Sequence, residues 1–308
     1  MTDPHAPSAE LAYLSADEID SRLAAGTLTS VALVTALLAR IAAVDAPGSP
    51  VGLRAIAALA PDALEVAAER DAERGAGNLR GPLHGIPVVI KDNVEALGLP
   101  GTAGSTALVG RPSREAPLVT RLREAGAILI ASTNLSQWAN IRSVRSTSGW
   151  SATGGLVGNP WALDRSAGGS SSGSGAALAA GLAPLAVGTE TDGSIVCPAS
   201  VCGVVGLKPT VGVVPATYVV PISASQDSPG PLGRRVGDVA RMFGVLSASE
   251  PPPERPLRFA LATTWRTDHP ATDALVEATV ASLRAAGHDV TDREVAVPGE
   301  AEGADELA

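Results

Sequence analysis

Lys91 and Lys208 are the only lysines among 23 basic residues, the other 21 being arginine. A compositional bias toward arginine accounts for the 21 and leaves the two exceptions to be explained. Lysine can lose its proton when buried and arginine effectively cannot, so chemistry that needs a neutral amine must keep Lys. Two glycine loops that carry serine follow Lys91, at 168–175 and 188–194. A serine hydroxyl is a poor nucleophile until a neighbour takes its proton, and a buried neutral lysine can drive that transfer. The run Gly168-Gly169-Ser170-Ser171-Ser172-Gly173 also contains a G-x-S-x-G match centred on Ser171, the sequence form of a hydrolase elbow. An elbow needs a histidine partner. Only His5, His84, His269 and His288 exist, and none sits in an evident Asp-then-His pair, so lysine-driven serine chemistry fits better.

The elements that must position these residues read as an α/β alternation. Ser15 with Glu18 forms a capping-box pattern ahead of a helix over 16–25, closed by Gly26. A second helix is expected at 30–44, and Pro61 opens a third through about Ala76. PVVIK is a short β-branched run that reads as a buried strand ending at Lys91, a good place for a site residue. Residues 117–125 read as helix and 127–132 as the next strand. From 132 to 175 periodicity disappears, and so long a polar, Gly-rich segment is expected to be functional surface or pocket wall. GSGAALAAGLA then reads as a closely packed helix of small residues and PLAVGTETDGS as a strand entering a tight loop. After VCGVVGLKPTVGVVP an irregular stretch runs to about Gly233, followed by a helix at 236–247. PPPERP at 251–256 is a linker signal; LRFALAT, a helix near 271–286 and HDVTDREVAV spell one more strand–helix–strand unit, and GEAEGADELA opens a further helix.

With 308 residues, 45% of them hydrophobic, the chain can bury a sizeable core, built mostly from Ala, Val and Leu because aromatics are only 3%. The net charge of -9 and the absence of any Lys/Arg run exclude a nucleic-acid groove. The longest apolar stretch, near Ser30 to Leu38, is far short of the roughly 20 residues of a membrane span. The opening MTDPHAPSAE is unlike a secretory signal, which sets the expectation of a cytoplasmic protein without a membrane partner. Cys197 and Cys202 have no histidine close by, so they are expected to be core thiols, with no metal site. Lys208 reads as a structural lysine satisfied by backbone carbonyls. Glu190 and Asp192 read as loop-shaping or substrate-facing in preference to an acid–base pair. Trp138, Trp150 and Trp161 can wall a groove or fill the core.

The stretches GIPVVIKDN, GGSSSGSGAALAAGLAPLAVGTETDGSIVCPA and GVVGLKPT, in that order, resemble the amidase signature family. The similarity covers roughly residues 10–290 and is dense from 81 to 235. It implies an α/β fold with a mixed β-sheet core flanked by helices. One amidase domain is expected over 1–308, with a helical scaffold at 10–80, the signature core at 81–235 and the strand–helix–strand unit at 256–308. Family chains continue past that unit, so the C-terminal part of the fold is expected to be missing. The resemblance also implies a Ser–Ser–Lys triad without cofactor: Lys91 as base, Ser170 as bridging serine in a cis peptide, and Ser194 as nucleophile. Gly193 permits a turn that aims the backbone N–H groups of Thr191, Asp192, Gly193 and Ser194 at a developing oxyanion. Ser171 and Trp138 are candidates for substrate contact. Where many members carry TDTGGSIR this chain has TETDGSIV; with TNLSQWAN and SQDSPGP, that form is similar to peptide amidases, which remove the C-terminal amide of peptides. The expected partner is a small-molecule or peptide amide. Alternatives are an amidotransferase A-type subunit supplying ammonia and a truncated, catalytically incompetent amidase fragment.

Overall fold

The computed structural model describes residues 7–46, 48–49, 51–249, 257–262 and 269–293. Helix α1 (Pro7–Ala12) precedes α2 (Ala16–Ala24), which begins with the expected capping box: Ser15 Oγ accepts from Glu18 N–H at 3.2 Å and Glu18 Oε2 accepts from Ser15 N–H at 2.7 Å. α3 (Ser30–Val44) starts at Thr29, whose hydroxyl accepts from Ala32 N–H, and buries Leu33, Val34, Leu37 and Ile41 along one face. Strand β1 (Ile56–Leu59) and α4 (Ala63–Gly75) lead to β2 (Pro87–Lys91). Next come α5 (Pro117–Glu124), β3 (Ile128–Thr133) and a two-residue hairpin, β4 (Trp150–Ser151) with β5 (Gly155–Leu156). After α6 (Ser172–Ala179) the chain forms β6 (Leu185–Glu190), α7 (Val196–Cys202), β7 (Val205–Gly206), β8 (Ser228–Gly233) and α8 (Val236–Ser247).

Six strands form one mixed sheet in the order β1-β3-β2-β6-β8-β7. β2 runs parallel to both its neighbours, while β1, β8 and β7 pair antiparallel. All five residues of β2 and all six of β3 are buried, as strands covered on both faces require. Every residue of α6 is buried too, and its small side chains are the reason it can be. A Cβ at Gly173 would stand 2.3 Å from the Ala55 carbonyl oxygen and 2.4 Å from that of Asn134, whose own carbonyl accepts from Gly173 N–H at 3.0 Å. The glycine–serine run is therefore packed interior and not a flexible linker.

One element lies in the stretch the sequence reads as irregular, and α7 lies before it in a segment the sequence leaves unassigned. β8 has the sequence SPGPLG, and prolines argue against an interior strand because they cannot donate to a ladder. Pro231 nevertheless directs its carbonyl to Leu207 N–H on the β7 side, so the missing N–H leaves the pairing with β6 intact. In α7, Pro198 is the third helical residue, where its absent N–H would have had no intrahelical partner. The expectation of two core thiols is corrected here: Cys202 is buried but Cys197 is exposed. Five residues apart on a helix turn the two side chains to different faces.

The sequence expectation of one domain meets a chain that divides into two compact units, Met1–Glu250 and Pro251–Ala308. In the second, β9 (Arg258–Ala262) and β10 (Asp289–Arg293) pair in parallel, connected through α9 (Pro270–Ala285), whose first turn is capped by His269. The PPPERP segment and the terminal GEAEGADELA lie outside the described residues. Among the described residues no helix is long and apolar enough to cross a membrane.

Because Gly173 has no room for a methyl group, Gly173→Ala is expected to lower the unfolding free energy by about 1–3 kcal/mol in urea titrations. An unchanged midpoint and slope would show that α6 can move away from β1 and β3.

Candidate active site

β2 delivers Lys91 to the centre of the sheet, opposite Thr133 of β3, with none of its surface accessible. Its Nζ lies 2.7 Å from Ser170 Oγ, 2.8 Å from Thr189 Oγ1 and 3.1 Å from the Thr189 carbonyl oxygen. None of these partners carries a charge. Burial pushes the ammonium down from 10.5 to about 7, with the more distant Glu190 and Asp227 carboxylates opposing the shift. At neutral pH a substantial share of Lys91 is therefore the free amine.

Two loops converge on that amine. Ser170 follows a cis Gly169–Ser170 peptide and is fully buried, its carbonyl accepting from Ser136 N–H at 3.0 Å. A Cβ at Gly169 would be 2.4 Å from Ser136 Oγ, so a larger residue there would displace serine hydroxyls. The second loop joins β6 to α7 and carries Ser194, which retains 7% of its surface. Ser171 N–H donates to the Ser194 carbonyl at 3.0 Å, so the loops are joined beside both serines. Glu190 closes the far end: its Oε2 accepts from Ile195 N–H at 2.6 Å and from Val196 N–H at 2.9 Å, holding the start of α7. Between those anchors Gly193 takes φ +74°, the left-handed turn expected there. Among the described residues, the N–H groups of Thr191, Asp192, Gly193 and Ser194 donate to no protein acceptor.

The other candidates separate clearly. Ser171 Oγ is buried and committed to Thr189, donating to its carbonyl and accepting from its N–H, so it stitches the loops together and does not face a substrate. Trp138 is half-buried in a left-handed turn, and the neighbouring Ala139 lines the cavity instead. Trp150 is partly exposed beneath the Arg142 guanidinium, and Trp161 donates from Nε1 to the Cys202 carbonyl at the surface. Glu190 shapes the loop, Asp192 is exposed, and Lys208 donates to the Thr191 carbonyl at 2.8 Å. His84 is buried between the Arg70 carbonyl and Arg80 N–H, while His269 and His288 lie in the second unit. No described histidine touches a serine of either loop. Among the described residues no group of His, Cys, Asp and Glu is arranged to hold a metal ion.

The amidase family model matches residues 32–303. The chain belongs to the amidase family. The similarity extends to a putative amidase of Arthroderma benhamiae, 46% identical over 73% of this chain and 38% of that protein. The A-type subunit of a glutamyl-tRNA(Gln) amidotransferase from Symbiobacterium thermophilum is 44% identical over 77% of this chain and 47% of its own. Among solved structures, the peptide amidase of Stenotrophomonas maltophilia superposes with a TM-score of 0.86 at 43% identity, covering 97% of this chain and 64% of that one. The chain thus spans less than half the length of these two sequence relatives and less than two thirds of that structure.

In this amidase-family site three contributors escape motif reading. Thr189 supplies two of the three acceptors around Lys91, and Asn93 donates to the same hydroxyl at 3.0 Å. Asp227 accepts from Thr191 Oγ1 and, through Oδ2, from the N–H groups of Ile222 and Ser223. All three line a small cavity of about 30 Å³ with Thr191, Ile222 and Ser228. Each lies within a stretch that carried the resemblance, but only contact shows which member of the stretch is used.

The depressed Lys91 value has a signed consequence. Between about 7 and 10.5 the unfolded chain binds a proton at this residue that the folded chain refuses, so this group makes stability rise with pH across that window. Lys91→Met lacks the effect. Its unfolding free energy relative to wild type is expected to fall by about 1.4 kcal/mol per pH unit from pH 7 to 10; a difference that stays constant would contradict a neutral buried amine.

Proposed function

We propose that this chain carries the catalytic centre of an amide hydrolase, with Ser194 as nucleophile, Ser170 as bridge and Lys91 as base. The observation that carries the reading is the 2.7 Å contact between a fully buried Lys91 and a fully buried Ser170, one residue from the backbone bond that joins Ser171 to Ser194. A neutral amine has two N–H groups and one lone pair, so one of the three contacts at Nζ must run from a hydroxyl toward nitrogen. The Ser170 hydroxyl fills that role, leaving its oxygen free to accept the proton of Ser194.

Ser194 Oγ then attacks the carboxamide carbon while its proton moves to Ser170 and the Ser170 proton moves to Lys91. The negative charge that develops on the carbonyl oxygen is met by the unpaired N–H groups of residues 191–194. The C–N bond breaks, the departing nitrogen takes back the proton held by Lys91, and ammonia or an amine leaves. Water attacks the resulting ester through the same relay, releasing a carboxylate and restoring Ser194.

For the substrate we propose the C-terminal amide of a peptide or a similar carboxamide. The TETDGSIV loop and the 43% identity to a peptide amidase support that choice. Identity of 44% to an amidotransferase component favours glutamine as the ammonia source in a second reading. Ammonia release from peptide amides, free amino-acid amides, aryl amides and glutamine separates the two. Peptide amides are expected to be turned over best, with kcat reduced at least about 10³-fold in Ser194→Ala and Lys91→Ala. A preference for glutamine would sink the peptide-amide assignment. Turnover that survives Lys91→Ala but not Ser171→Ala would overturn the triad, and a soluble, folded chain with no turnover of any amide would show a catalytically incompetent fragment.

A further inference from the structure

Thr191, the first residue of the nucleophile loop, is gripped by two charged side chains. Lys208 reaches from the GLKPT segment and donates from Nζ to the Thr191 carbonyl at 2.8 Å. On the other side Thr191 Oγ1 donates to Asp227, which is itself fixed by Ile222 and Ser223 N–H at 2.7 and 3.0 Å. In a trans peptide the carbonyl and the following N–H point in opposite directions. A cation that draws the Thr191 carbonyl to one side therefore turns Asp192 N–H to the other. The same logic is visible at the far end of the loop. There the Ser194 carbonyl accepts from Ser171, and Ile195 N–H, on the opposite edge of that peptide, goes to Glu190. At the near end Asp192 N–H has no protein acceptor among the described residues.

We infer that Lys208 is a positioning residue that sets the Thr191–Asp192 peptide plane so that Asp192 N–H is preset as an oxyanion donor. This rests on the reading of Ser194 as nucleophile. Lys208 acts through the backbone and touches no reacting atom. Its compact ammonium makes a single point contact with that carbonyl.

The test is Lys208→Met and Lys208→Arg, each measured for kcat and KM on a peptide amide, together with crystal structures of wild type and Lys208→Met. The expected result is a kcat lowered about 10- to 100-fold in Lys208→Met with KM within about twofold, since ground-state binding is untouched. Lys208→Arg, which keeps the charge, is expected to recover part of that loss. The Thr191 carbonyl is expected to have turned in the Met structure. Wild-type kcat with an unturned peptide, or a loss confined to KM, would overturn the inference. If wild type releases no ammonia from any amide, the hydrolase reading fails by itself and the two crystal structures decide the role of Lys208 in orienting the loop. Should Lys208→Met not fold, Lys208→Gln carries the same measurements.

Discussion

Lys91 ends a central strand with no accessible surface, and among the described residues only Ser170 and Thr189 offer acceptors to its Nζ, so an ammonium there would have neither water nor a touching counter-charge. A fall from 10.5 to about 7 corresponds to on the order of 5 kcal/mol of preference for the neutral form. Whole domains are stable by only about 5–15 kcal/mol, so burying this group is a large sacrifice for a scaffold to absorb. A leucine or methionine at the same strand position would serve the core better. The proposed relay would make use of the neutral amine, and the buried faces of β2 and β3 exclude the water that would restore its charge.

Keeping water out while bringing hydroxyls in requires close approach to the loop backbone, by side chains at Gly169 and Gly188 and by other backbone at Gly173. A Cβ at Gly169 would strike Ser136, one at Gly173 would strike two carbonyl oxygens, and one at Gly188 would come within 2.8 Å of Ser171 Oγ. Ser171 then occupies the space between the loops, with its hydroxyl exchanging both hydrogen bonds with Thr189. Glu190 and Lys208 act at opposite ends of the Ser194 loop, one on N–H groups and the other on a carbonyl. The consequence is a loop whose backbone donors at 191–194 meet no protein acceptor among the described residues, with Asp192 exposed and Ser194 buried.

Much of this was legible in the sequence where one residue type decides the outcome. The rarity of lysine marked Lys91 and Lys208, the capping pair Ser15 and Glu18 placed the start of α2, and the β-branched PVVIK run placed β2. What escaped reading depends on contacts between distant segments. β8 hides behind two prolines, and the Pro231 carbonyl that reveals its place reaches Leu207 on the side away from β6. Thr189 looks like an ordinary strand residue and Asp227 like an ordinary loop residue until the fold brings one to Lys91 and the other to Thr191. The serine run carried the opposite lesson: Ser171 centres a motif with hydrolytic form, yet burial and the lack of a nearby described histidine leave it a structural role.

Because the chain has only two lysines, the protonation of Lys91 can be followed directly. Protein labelled with ¹³C at lysine Cε should give two resonances whose assignment follows from Lys208→Met, and their shifts report the charge on each Nζ as pH is raised. The expected result is that Lys91 titrates near 7, in line with its burial among neutral acceptors. A Lys91 that stays protonated up to about pH 10, like an unperturbed lysine, would contradict it.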